Sequence, residues 1–461
     1  MKTPSSCPFQ TISSRTTLLF IGALIPIWSI PHTMAARNIL LVASLIGLYL
    51  SRLNWRIYKG RLNLFYLFCL YLLVNLLFFS SDIVLALQNF KSEWLKFILY
   101  FILGLGSALL IIKCEIKRAL LWLGVLFSFP LYIHLGMTLQ LWLETPQSFP
   151  WGYLGLSTMH GELAYASLAA TIFLSIYLYF QASKLWEYLF SIICLTICIL
   201  SPAVAKSRGG LIFSIALILI ASAYGLYKKF NQSKKELKYK TSILVLILIF
   251  IIGPIFFLTA KSDPNRWHGI SGRVQMGIIA SKAPFEITCK GVDSLTKHID
   301  PQRAVTPEMQ SQIGSVIDGD GARALGAFSG LALAIENPLG INQSRQAYQI
   351  ALRKHCNSVP FTTLSHSHNG WINTALAIGI PGALLLLLLY AGLAKQGYES
   401  VQRQHSSNVY ALALVFTSGV WFLRGMVDAT MQDQMLEMQA FSLSLLLGLT
   451  ILSNSGRNTG S

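Results

Sequence analysis

Stretches of about 20 predominantly apolar residues recur along this chain, and nothing in it constrains folding more. Each is long enough to cross the ~30 Å hydrocarbon layer of a bilayer as a helix. Inside hydrocarbon a backbone must satisfy its own N–H and C=O groups, which a helix does within one segment. With 54% of the 461 residues hydrophobic and 12% charged, the sequence predicts an all-α polytopic membrane protein. Twelve transmembrane helices are predicted, at 17–33, 38–52, 62–80, 94–112, 119–142, 160–180, 186–203, 209–228, 241–260, 370–394, 408–427 and 435–453. The first has no small-residue cleavage site after it, so it reads as a retained helix and not a signal peptide.

The formal charge of +17 would suit a nucleic-acid partner, but its distribution argues against one. Every second short loop is basic: Arg52, Arg56, Lys59 and Arg61; then Lys113, Lys117 and Arg118; then Lys228, Lys229, Lys234, Lys235, Lys238 and Lys240. The loops between them are nearly neutral. Positive loops stay in the cytoplasm. Both termini are therefore expected inside, and the one long polar segment outside, which in a bacterium is the periplasm. The chain divides into helices one to nine (1–260), a long periplasmic loop containing short helices (261–368), and helices ten to twelve with a cytoplasmic tail (369–461). The lysine run is a topology determinant on this reading, and nucleic acid is not a partner. The tail from Asn454 to Ser461 is polar and expected to be disordered.

Of seven cysteines, only Cys289 and Cys356 fall in the outer loop. They are candidates for a disulfide in an oxidising compartment, the alternative being two buried free thiols. Among the early helices, Gly104, Gly106 and Ser107 allow close helix contact, and a lone His134 reads as structural.

The polar loop meets an apolar helix at residues 361–382, which contain His366, His368 and Asn369. Asn369 or a neighbour can cap that helix. The positive field of a helix N-terminus disfavours imidazolium, so His368 is expected to stay neutral near pH 7 and able to accept a proton. The same helix end is expected to attract phosphate. At the start of the eighth helix, Lys206 and Arg208 break the positive-inside pattern. Ionisable residues on the wrong side of a membrane usually have a task. Arg208 offers a forked donor for a diphosphate, and Gly209 and Gly210 leave room for a ligand. Glu162, near another outer helix end, is a candidate for orienting a substrate hydroxyl or for capping. Arg424 and Asp428, four apart, are placed to pair on one helix face.

Within the loop, apolar residues from Ala322 to Ile335 recur at helical spacing and stop before Asn337-Pro338-Leu339-Gly340, predicting an amphipathic helix. A second short helix is predicted over Ser344–Leu352. Arg323 and Arg345 offer cations facing the membrane, with a salt bridge to Asp318 or Asp320 as the alternative for them. Asp318-Gly319-Asp320 invites a metal reading, but it lacks the βα context such pairs need and reads as a turn. No metal site is expected.

His368-Asn369, nine residues, then Gly379-Ile380-Pro381-Gly382 resembles the signature of the O-antigen ligase family, within the superfamily that includes O-antigen polymerases. Ser207-Arg208-Gly209, and an arginine opening a helix that ends in Asn-Pro-Leu-Gly, resemble further parts of that family. The resemblance covers the helix count, the long loop after the ninth helix and these motifs; much of the N-terminal half matches only in hydropathy.

The resemblance implies a bacterial inner-membrane glycosyltransferase acting at the periplasmic face. Its donor would be an undecaprenyl-diphosphate-linked O-polysaccharide and its acceptor a sugar hydroxyl of lipid A–core, as in lipopolysaccharide biosynthesis. His368 would be the base, with Arg208 and Arg323 binding the lipid diphosphate and Asn369, Lys206, Arg345 and Glu162 in support; Gly379 and Gly382 are the motif glycines. Inversion at the sugar without metal or cofactor is expected. No ATP motif is present, since the donor already stores diphosphate energy. An O-antigen polymerase and a protein O-oligosaccharyltransferase share these parts. A transporter or flippase is a reading of a different class, favoured only by Pro381 as a helix kink.

Overall fold

The computed structural model describes residues 8–116, 118–146, 148–230, 235–267, 269–291, 294–295, 307–361, 364–403 and 408–455. Among these the chain is helical, with no strand. Helices α1 (Pro8–Ile27), α2 (Met34–Leu50), α3 (Asn63–Val74), α4 (Ile83–Asn89), α5 (Leu95–Lys113), α6 (Ala119–Glu144), α7 (His160–Phe180), α8 (Leu185–Val204), α9 (Arg208–Phe230) and α10 (Lys235–Ser262) precede the long loop. The loop carries α11 (Pro264–Trp267), α12 (Ile270–Ala280), α13 (Pro284–Lys290), α14 (Pro307–Asp318), α15 (Asp320–Glu336) and α16 (Ala347–Cys356). After it come α17 (Gly370–Arg403), α18 (Val409–Val427) and α19 (Asp433–Ser455).

Nine stretches among the described residues are long and apolar enough to cross a membrane: Ile83–Lys113, which joins α4 to α5, and those on α6 to α10 and α17 to α19. The other three predicted spans fall on shorter apolar helices, Ser13–Ile27, Met34–Leu50 and Asn63–Phe79. At 1.5 Å per residue Met34–Leu50 and Asn63–Phe79 reach about 26 Å, less than the hydrocarbon thickness. The architecture is that of an all-helical, multi-pass membrane protein. Several predicted features lie outside the described residues: Lys117, Lys234, the side chains of Lys229, Lys235, Lys238, Lys240 and Asp318, and the tail from Gly456.

Helices α7 and α19 are enclosed on nearly all sides, while α10 is peripheral. Small residues explain how α19 fits beside α5. A Cβ on Gly104 would strike the Phe441 carbonyl and the Ser444 hydroxyl, and one on Gly448 would lie 2.6 Å from the Ala108 methyl. Without side chains in the way the two backbones approach closely, which is how helices gain packing energy inside lipid. Gly106 does the same for Leu48 of α2.

The loop is not structureless. Helices α12, α14 and α15 pack on one another around Met276, Ala280, Val316 and Leu325, and α15 and α16 rest on α17. The amphipathic helix expected from Ala322 to Ile335 is α15. It stops at Asn337, whose backbone N–H and Nδ2 both donate to the Leu333 carbonyl (3.0 and 2.8 Å). The helix expected over Ser344–Leu352 begins at Ala347.

Cys289 and Cys356 form a disulfide, with a Cα–Cα distance of 5.4 Å, so the free-thiol alternative is not adopted. It ties α13 to the end of α16 across 67 residues of sequence. Closing a loop of that length restricts the unfolded chain by about 4 kcal/mol. The double variant Cys289→Ala/Cys356→Ala is therefore expected to melt well below the parent protein in the same detergent. Coincident melting curves would show that the clip contributes nothing.

Helix termini cluster at the two ends of the bundle. At one, the N-termini of α7, α9, α17 and α19 gather around the C-terminus of α18. At the other, the C-terminal turns of α17 and α19 meet the turn that carries Gly60 and Arg61.

Candidate functional site

The predicted loop-to-helix boundary is where α17 begins. Asn369 caps it: the Oδ1 atom accepts from the N–H groups of Trp371 (3.0 Å) and Ile372 (3.1 Å). Gly370 N–H donates to the Asp428 carbonyl (2.9 Å), and Asn369 N–H to Ser367 Oγ (3.3 Å). All four orphan amides of the first turn are thereby taken. The expectation that this helix end attracts phosphate fails for that reason, since no donor is left to offer.

Just upstream, Ser367 is fastened by its N–H and its hydroxyl to Asn373 Oδ1 (3.0 and 2.8 Å). His368 then adopts a left-handed backbone (φ +55°), and its N–H donates to His366 Nδ1 (3.3 Å). The two imidazoles meet edge to face, ring centres 4.3 Å apart. His368 Nδ1 is buried and has no hydrogen-bond partner among the described residues.

Helix α15 closes over this loop on two glycines. A Cβ on Gly326 would lie 3.1 Å from the Ser367 carbonyl oxygen, and one on Gly330 would lie 2.7 Å from Ser367 Cβ. Arg323 sits one turn earlier on the same face, exposed, and its charge reaches both imidazoles and Asp428. Burial, with His366 and Arg323 adding to it and Asp428 opposing, pushes the His368 imidazole down to about 4. Burial lowers His366 too, again with Asp428 opposing. The direction is the one expected for His368, but the leading cause is lost water rather than the helix field.

Asp428 is the hub of the far wall. Its carboxylate accepts from Arg424 (2.6 Å), from the Tyr165 hydroxyl (2.9 Å) and from Ala429 N–H (2.9 Å). Burial would raise its pKa, but Arg424 and Arg323 more than offset that and hold it below the usual carboxylate range. The Arg424 guanidinium lies over the rings of Tyr165 and Phe213. It fills the space beside Gly209 where a Cβ would go, while Ala164 and Pro202 fill that beside Gly210. The room left by these two glycines is thus occupied by protein, not held open for a ligand.

Arg208 opens α9, as predicted, and its fork is engaged. It grips Asp320 with both terminal nitrogens (3.1 and 2.7 Å), and Arg273 donates to the same carboxylate (3.1 Å). Burial alone would raise the Asp320 pKa; the two guanidinium groups overcome it and lower it. Asp320 is the first residue of α15, so this cluster and Arg323 lie within one turn of each other. The alternative of a salt bridge from Arg323 or Arg345 to Asp320 is not adopted: Asp320 pairs with Arg208 and Arg273.

The supporting candidates separate. Lys206 faces Asp263 (3.5 Å). Arg345 pairs with Asp433 (2.6 Å), whose own N–H donates to Glu93, so Arg345 does not join the His368 group. Glu162, in the first turn of α7, accepts from Thr158 N–H (2.9 Å) just ahead of that helix. Gly379 breaks α17 with φ +83° and ψ +161°. The segment Pro338–Gly340 fills the break: Ile380 N–H donates to the Pro338 carbonyl (2.8 Å). Tyr71 and Asn75 of the α3 region donate to the Ile378 carbonyl (2.7 and 3.2 Å). A Cβ on Gly382 would meet Ile378 at 2.8 Å, and it would also meet the Tyr71 ring. The motif glycines hold the helix break and its packing; neither lies at the imidazoles. Sequence reasoning gave no role to Arg273, Tyr165 or His366. Only His366 carried a signal, its place two residues before His368.

Arg208, Arg323, His368 and Asn369 thus fall in one polar assembly at one end of the bundle, joined by Arg273, Arg424 and Asp428. A scan against protein-family models finds no match for this chain, and a search of curated proteins finds none either.

Proposed function

We propose that this chain is a membrane glycosyltransferase of the O-antigen ligase type. One observation carries the reading: four guanidinium groups, from Arg208, Arg273, Arg323 and Arg424, are drawn together around Asp320 and Asp428, beside a half-buried imidazole pushed toward neutrality. Cations suit a lipid diphosphate that gains negative charge as its bond to sugar opens. A neutral imidazole suits the removal of a proton from a sugar hydroxyl.

In this mechanism the acceptor oxygen attacks the anomeric carbon of an undecaprenyl-diphosphate-linked O-polysaccharide. The carbon–oxygen bond to phosphate breaks, and the lipid diphosphate leaves with its electron pair. The hydroxyl proton passes to His368. Attack opposite the leaving group inverts the anomeric centre. Arg323, exposed and within reach of both imidazoles, is the first contact for the diphosphate. Arg208 joins by exchanging Asp320 for a phosphate oxygen. The Asp320 carboxylate faces two arginines. The topology that goes with this reading is twelve spans in a bacterial inner membrane, both termini cytoplasmic and residues 261–368 periplasmic, as the alternation of basic loops indicates.

Lipid A–core is the acceptor proposed. A second glycan chain would make the protein an O-antigen polymerase, and a peptide hydroxyl a protein O-oligosaccharyltransferase. Purified protein given the lipid-linked donor with each acceptor in turn tests the proposal. Glycan joined to lipid A–core is expected. No transfer to any acceptor, with flux of donor across liposomes instead, would replace the enzyme by a flippase. In the same assay Arg323→Ala is expected to lower transfer by about 100-fold. Arg323→Lys should recover little of it, because the planar fork is lost.

A further inference from the structure

At the end of the bundle away from His368 lies a cleft of about 300 Å³ between α3, α5, α17 and α19. Its α17 wall begins roughly 28 Å along that helix from the imidazoles, counting 1.5 Å per residue from Gly370 to Leu389, and runs on to Arg403. Its lining changes character with depth. Leu389, Leu393, Phe65, Phe101 and Leu447 form an apolar interior, whereas Arg61 and Arg403 stand with amides and hydroxyls at the mouth. The α17 wall is one stripe at helical spacing, from Leu389 and Leu393 through Gln396 and Ser400 to Arg403. Gly392 lets Leu64 approach and close the side: a Cβ there would lie 2.6 Å from Leu64 Cδ1.

The mouth is positive. Glu399 is the carboxylate in the lining, and it is already held by Arg403 (3.2 Å) and Lys395 (3.9 Å). The Arg61 guanidinium has no protein acceptor among the described residues; the residue is held by its backbone, the N–H donating to the Tyr58 carbonyl (3.0 Å) and the carbonyl accepting from Gln396 Nε2 (3.4 Å). Arg56 and Lys59 add charge beside it, and both are exposed.

We infer that this cleft binds an anionic glycerophospholipid, with its phosphodiester between Arg61 and Arg403 and an acyl chain along Leu389, Leu393 and Phe101. A free phosphate would leave the apolar interior unmatched, and a zwitterionic lipid would leave the mouth uncompensated. Basic pockets between membrane helices take anionic headgroups in this way. The inference does not depend on the chemistry proposed for His368.

Native mass spectrometry of the detergent-purified full chain, titrated with dioleoylphosphatidylglycerol, dioleoylphosphatidylcholine or inorganic phosphate, tests it. Retention of phosphatidylglycerol at least tenfold tighter than phosphatidylcholine is expected. The variant Arg61→Gln/Arg403→Gln should weaken phosphatidylglycerol on the order of 30-fold. The variant Arg56→Gln/Lys59→Gln, which removes equal charge outside the cleft, should weaken it less than threefold. Equal loss in the two variants would mean a diffuse basic surface and overturn the site. Equal retention of the two lipids would overturn its selectivity, and inorganic phosphate binding as tightly as the lipid would overturn the acyl-chain assignment.

Discussion

Replacing His368 by alanine is expected to cut glycan transfer by about 10²–10⁴-fold, the range a positioned general base supplies, while donor binding and the melting temperature change little. The pH profile separates this role from a merely structural one. An imidazole in water is half protonated near pH 6.5, whereas His368 titrates at about 4. The base form is therefore complete at pH 6, and transfer should stay flat from there to pH 8 and fall only as pH drops through about 4. Stability follows the opposite bookkeeping from a paired histidine. Between pH 6.5 and 4 the unfolded chain binds a proton that folded His368 refuses, so stability declines as pH falls across that window. His368→Ala should flatten that decline. Near-normal transfer by the variant, or a half-maximal rate near pH 6.5 in the parent, would remove His368 as the base.

Gly379→Val is expected to have the largest effect on folding. The backbone there (φ +83°, ψ +161°) lies in a region essentially reserved for glycine, where a side chain costs about 1–3 kcal/mol. A Cβ would also lie 2.7 Å from the Leu339 carbonyl carbon and 2.8 Å from the Pro338 oxygen. These are backbone atoms and cannot rotate aside. If the Pro338–Gly340 segment withdraws, the Ile380 N–H loses the Pro338 carbonyl inside the bundle, and an orphan donor there costs a further ~1–3 kcal/mol. Little monodisperse protein should survive detergent extraction. Gly379→Ala should sit between, folded but melting lower. An alanine variant with the parent's melting temperature would show that the break is not fixed by this residue.

The helices were legible because hydropathy has a length that a bilayer dictates. Where α17 begins was legible because Asn369 precedes a sharp rise in hydropathy and is a good cap. The break within it was only half legible. Pro381 signalled a kink, but the non-helical residue is Gly379, and what allows it is a loop some forty residues earlier. Arg208 stood out as a cation out of place. Its carboxylate partner, 112 residues away, belongs to a helix whose docking no local pattern encodes. Arg273 was missed for the same reason: an arginine in a short polar helix has no distinguishing neighbours. Gly209 was misread because small residues show that something comes near without showing what; here it is Arg424.

The seating of α15 on Ser367 through Gly326 and Gly330 has a consequence for tuning. Main chain rests on main chain at Gly326 and on the Ser367 Cβ at Gly330, so the gap between Arg323 and the imidazoles is gauged by atoms that have no rotamers to choose among. Swapping neighbouring side chains leaves such a spacer its length, whereas one methyl group added at either glycine must lengthen it.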